Sequence, residues 1–131
     1  MPLVPPTVVK GDPQVIDLTI LAELLSYDAA KVRKFADKFV QTTQIGFEEM
    51  ETSLAAGDVQ RVRELGHRIK SAARTVGALG MADLCEQLEH LAAGTPEQEL
   101  AAARAYVATL WPLLARITEH ITDDTTFGNG S

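Results

Sequence analysis

From residue 15 to about residue 122, apolar side chains recur at steps of three and four with polar ones between them, and no segment keeps the period-two alternation of a strand. Four long stretches carry this helical pattern. Val32, Phe35, Ala36, Phe39, Thr43, Phe47, Met50 and Leu54 form the stripe of a long helix that Asp28 can cap and Gly57 can end. Gly46 weakens that helix by about 1 kcal/mol relative to alanine. The stripe continues past it, so one helix is expected. Val62, Leu65, Ile69, Ala72, Ala73 and Val76 make the next stripe, from Val59 to about Val76, with Asp58 as cap and Gly77 as stop. Met81, Leu84, Cys85, Leu88 and Leu91 face inward on a helix from about Met81 that Gly94 closes, leaving Glu86, Gln87, Glu89 and His90 outward or at the edge. Thr95-Pro96-Glu97-Gln98 is a helix start: threonine caps, proline stands where its missing amide costs nothing, and Gln98 completes a capping box. Leu100, Ala103, Val107, Leu110, Leu114, Ile117 and Ile121 follow as a seam, interrupted by Pro112, which should kink the helix near Ala108. Upstream, Asp17 can cap a short helix carrying Leu18, Ile20, Leu21, Leu24 and Leu25.

Helices with such stripes and short loops can bury them only against one another. The expected fold is all-α, an antiparallel up-and-down four-helix bundle with a short additional N-terminal helix, over residues 15–122. Residues 1–14 hold four of the six prolines and read as a flexible Pro-rich arm or linker. Residues 123–131 are polar and contain glycine, and read as a flexible tail.

A chain of 131 residues gives one domain, and 46% hydrophobic with 23% charged residues is ordinary for a globular one. The net charge of −6 argues against nucleic acid, whose binders need a cationic face. No apolar run approaches the ~20 residues needed to cross a bilayer, and the first residues lack the pattern of a signal peptide. A cytoplasmic protein is expected. The single cysteine, Cys85, lies on an apolar stripe and reads as a buried thiol.

The stretch with chemistry in it is Glu64 to Ala78. His67 points about 180° from the middle of its helix's apolar stripe, into water, among Gln60, Arg63, Glu64, Lys70, Ser71 and Arg74. By spacing alone a surface histidine is more often idle than reactive. A metal site is not expected: His67, His90 and His120 fall on three helices, and the Glu64/His67 E-x-x-H pair points outward.

The local wording changes the balance. His67-Arg68-Ile69-Lys70-Ser71-Ala72-Ala73, then Val76-Gly77-Ala78, then Leu84-Cys85-Glu86-Gln87-Leu88-Glu89 resembles the histidine-containing phosphotransfer (HPt) domain of two-component phosphorelays, with its H-x-L-K-G-S-A, L-G-A and C-x-x-L-E. Ser71 stands where that family usually has glycine, and Ala72 where serine is frequent. The resemblance implies a phosphoryl group carried on His67, at Nε2, between receiver domains. Around it would stand Lys70, with its ammonium beside the phosphoryl group, then Ser71, Arg74 and Glu64, and Glu89 as the residue that orients the ring. It implies response-regulator receivers and a hybrid sensor histidine kinase as partners, with Mg²⁺ supplied by the receiver and no cofactor in this chain. Such a chain is a phosphotransfer intermediate without kinase or ATPase activity, and it contains no nucleotide motif or phosphate-cradling glycine loop. The alternative is a helical docking or scaffold module whose His67 is never phosphorylated.

Overall fold

The computed structural model describes residues 15–92 and 94–123. The arm expected over residues 1–14, and residues 124–131 of the expected tail, lie outside them. Five helices follow in order: α1 (Leu18–Leu24), α2 (Ala29–Ala55), α3 (Val59–Val76), α4 (Leu79–Glu89) and α5 (Pro96–Asp123), with no strand among the described residues.

The helix ends form where the sequence marks them. Asp17, Asp28 and Asp58 each accept a backbone N–H of the first turn, from Thr19, Lys31 and Arg61 at 3.1, 3.2 and 3.0 Å. Each bond satisfies an amide that the helix itself cannot, a contribution of about 1 kcal/mol. Thr95 and Gln98 cap reciprocally, the Gln98 amide on Thr95 Oγ1 at 3.1 Å and the Thr95 amide on Gln98 Oε1 at 3.0 Å. Gly77 ends α3 with φ of 86°. A Cβ there would lie 2.0 Å from the carbonyl oxygen of Asp17, whose own amide donates to the Gly77 carbonyl at 2.8 Å. Glycine at that position therefore lets the start of α1 lock onto the end of α3.

Packing runs around a ring in chain order: α2 on α3, α3 on α4, α4 on α5 and α5 back on α2, with α1 laid against α2 and α3. This is the up-and-down bundle, and Val15, Ile16, Leu18, Leu21 and Ala22 sink α1 into the shared core. Phe47, Met50, Leu65, Met81, Leu88, Leu110 and Ile117 fill the centre. Phe47 meets Trp111 edge to face at 5.3 Å, and the Trp111 indole N–H reaches Glu51 at 2.9 Å.

Some details depart from the periodicity. Phe35 and Ala72 were expected inward and are exposed, because each sits at the edge of its stripe, where α2 and α3 leave a groove between them. α4 starts at Leu79 and stops at Glu89 rather than running to Gly94. Arg63 Nη2 donates to the Leu91 carbonyl at 2.8 Å, so the backbone beyond α4 finds a partner without another helical turn. α5 passes through Pro112 as one helix. Pro112 and Ala108 both lie on its exposed side, where water can serve the carbonyl that loses its amide partner.

Candidate functional site

His67 occupies the middle of α3, and its side chain is 60% exposed. What faces it is the end of α4, which packs on α3 across a glycine. Gly66 is buried, and a Cβ on it would stand 3.4 Å from the Cys85 carbonyl and 3.6 Å from Leu88. Glycine inside a helix costs about 1 kcal/mol relative to alanine, so one on a packed face marks a close approach. The gain here is geometric: α4 lies near enough that Glu89, at its last turn, reaches across to α3.

Glu89 uses both oxygens. Oε2 lies 2.7 Å from His67 Nδ1, and Oε1 accepts from Lys70 Nζ at 2.5 Å. The Lys70 bond first, and His67 second, hold the Glu89 carboxyl below its usual range against the opposing pull of partial burial. An ionised carboxylate can only accept, so Nδ1 must be the ring nitrogen that carries the proton. Nε2 is left with its lone pair, on an exposed ring. It opens into a cleft of about 650 Å³ lined by Gln60, Arg63, Glu64, His67, Arg68, Glu89 and His90. Behind the pair lies Cys85, fully buried. Burial pushes its thiol up to about 12, with Lys70 lowering and Glu89 raising it, so it stays protonated and inert.

Along residues 34–123 the sequence matches the Hpt domain family. The chain belongs to that family. Its activity is histidine phosphotransfer in a phosphorelay, and response-regulator receiver domains are its partners. The fold is similar to the crystal structure of histidine-containing phosphotransfer protein B (HptB) from Pseudomonas aeruginosa PAO1. That similarity has a TM-score of 0.70 at 24% identity, over 82% of this chain and 90% of the other. No curated protein matches the chain in sequence. Among the described residues no helix is long and apolar enough to cross a membrane.

Within this Hpt domain the expected site residues divide. His67, Glu89 and Lys70 form one connected unit, and Glu64 lines the same cleft. Lys70 is placed differently from the sequence expectation. Expected on the wet face with its ammonium beside the phosphoryl group, it is buried and its charge is spent on Glu89 at the end of α4. Arg74 pairs with Glu86 at 2.7 Å and does not line the cleft. Ser71 is exposed one turn beyond His67 and does not line it either.

Two cleft residues escaped the sequence reading, Arg68 and His90. Arg68 directly follows His67, which on a helical wheel alone puts it about 100° away. His90 comes in only because α4 stops at Glu89. Gly66 was legible in principle, as a glycine with no reason to interrupt a strongly amphipathic helix unless something packs against it.

Proposed function

We propose that His67 is the phosphoacceptor, that Nε2 is its reacting atom, and that the chain carries the group between receiver domains, from aspartyl phosphate to His67 to aspartate. The observation behind this is the 2.7 Å contact of Nδ1 with a carboxylate held ionised by Lys70. It fixes the tautomer that leaves Nε2 nucleophilic. When the Nε2 lone pair attacks the phosphorus of an aspartyl phosphate, the N–P bond forms as the P–O bond to the aspartate breaks. The aspartate leaves as a carboxylate and no proton has to depart. The ring keeps its Nδ1–H and acquires positive charge, which the Glu89 carboxylate faces directly. The same arrangement run backward returns the group to a second receiver.

Phosphoryl transfer is chiefly positioning and charge neutralisation, and the divalent metal and acidic pocket for it would come with the receiver, as Mg²⁺ bound there. Glu64 shares the cleft as a rim carboxylate. Arg74 and Ser71 belong to the surrounding docking face rather than to the reacting atoms. The phosphoryl group would originate from a hybrid sensor histidine kinase, of which this chain is a domain or a separate partner, on the cytoplasmic side.

Incubation with a receiver phosphorylated on aspartate should put acid-labile, alkali-stable label on the chain, lost in His67→Gln with helicity unchanged. Tight receiver binding without label in the wild type would replace this reading with that of an unphosphorylated docking module.

A further inference from the structure

α3 carries five cations: Arg61, Arg63, Arg68, Lys70 and Arg74. Four are committed. Arg61 pairs with Glu49 and Glu64, Arg63 with Glu99, Lys70 with Glu89 and Arg74 with Glu86. Arg68 is exposed and makes no hydrogen bond or ion pair with any described residue. This is not for want of a neighbour in the sequence. Glu64 stands four residues before it, the favoured order for a helical Glu–Arg pair, yet Glu64 turns to Arg61 at 3.4 Å instead.

The position of this spare guanidinium is specific. Arg68 lines the cleft that holds His67 and Glu89. It also lines a groove of about 290 Å³ on the other flank of α3, with Ile45, Gly46, Ile69 and Ala72. That groove continues past Thr42 and Ala72 to a second hollow beside Phe35 and Phe39. Arg68 is shared by cleft and groove, so a protein that covers Nε2 and extends onto the groove meets its guanidinium. A receiver brings carboxylates around its phosphoryl site, whereas this chain is itself acidic, with a net charge of −6. A lone exposed cation beside the reacting nitrogen supplies the local complement that the overall charge opposes.

We infer that Arg68 is a partner-binding and specificity-determining residue, pairing with a carboxylate at the rim of the receiver's phosphoryl site and setting how fast and how well a receiver docks. This rests on the reading of His67 given above. Rim charges act through encounter rate and salt dependence more than through the chemical step.

From a panel of purified phosphorylated receiver domains, the one that labels the wild type fastest is taken, and Arg68→Ala, Arg68→Lys and Arg68→Glu are compared with it. Arg68→Ala should raise KM for that receiver about tenfold at about 50 mM salt with kcat within about twofold, and Arg68→Glu should raise KM further. Arg68→Lys should recover most of the loss. The gap should close toward about 0.5 M salt, where surface charges are screened. Helicity and urea unfolding midpoints should match in all four proteins, since Arg68 is exposed and makes no contact that the fold uses. An unchanged KM in Arg68→Ala overturns the inference. So does a change in kcat or in phosphohistidine lifetime at constant KM, which would place Arg68 on the phosphoryl group. Failure of every receiver to label the wild type overturns the His67 reading itself and takes this inference with it, a result distinct from both.

Discussion

The two flanks of α3 are built in opposite ways. Toward α4 the polar groups are spoken for: Lys70 and His67 on Glu89, Arg74 on Glu86, Arg63 on Glu99 and the Leu91 carbonyl. Toward α2, beyond the Arg61–Glu49 pair, the surface is left open. Phe35 and Ile45 are 50% and 57% exposed, Ala72 faces solvent, and Arg68 has no partner among the described residues. One flank fixes a ring nitrogen, a task that demands small distances and an ionised carboxylate. The other leaves apolar area and a cation unsatisfied, and only a surface of that kind gains on association. Transfer from one protein to another needs both, set side by side on a single helix.

The contrast can be broken first at Glu89. Glu89→Ala frees the His67 ring and its tautomer, and transfer should slow by about 10- to 100-fold, the size of effect that carboxylate partners have on metal-bound imidazoles. Quench-flow transfer from a phosphorylated receiver measures it, and a rate within twofold of wild type would show that the Glu89 contact is idle.

Next comes the spacing between α3 and α4. Gly66→Val forces a branched side chain against the Cys85 carbonyl and Leu88, and overpacking of this kind costs about 1–3 kcal/mol. Urea unfolding should show that loss with an unchanged m-value, and the His67–Glu89 contact should open. Gly66→Ala is the finer probe, since the helix propensity it gains opposes a contact only slightly tight.

On the open flank, Phe35→Ser together with Ile45→Ser removes apolar area that the bundle does not use. Stability should stay within about 0.5 kcal/mol, as for ordinary surface changes, while receiver affinity falls about tenfold. Calorimetric titration separates the two. A loss of stability equal to the loss of binding would mean that this flank belongs to the fold.

The smallest effect expected is that of Lys70→Met. Its loss should let the Glu89 carboxyl rise toward the usual range, seen by NMR titration, with transfer at neutral pH reduced only a few-fold. The sign follows from the direction of the shift. A carboxyl lowered in the folded state stabilises that state above its unfolded pKa, and the contribution disappears as pH falls through the folded value. Without Lys70 that pH window narrows from its acid side.

The bundle was legible from spacing alone because the stripes of α2, α3 and α5 run long enough for the 3.6-residue period to be unmistakable, and because aspartates and glycines punctuate them. The His67 motif was legible because its residues are consecutive on one helix. What stayed hidden were relations between helices: that Lys70 is buried against Glu89 of α4, that Phe35 misses the core, and that α4 stops at Glu89 with His90 exposed beyond it.

The sequence by itself determined the helices, their order, the outward direction of His67 and the family wording around it, since each depends on residues within a few turns of one another. Which cations are consumed and which is left over was decided only by the tertiary structure. Every ion-pair partner of α3's cations apart from Glu64 comes from another helix, and ion pairs across an interface depend on approach distances that no single helix's periodicity encodes.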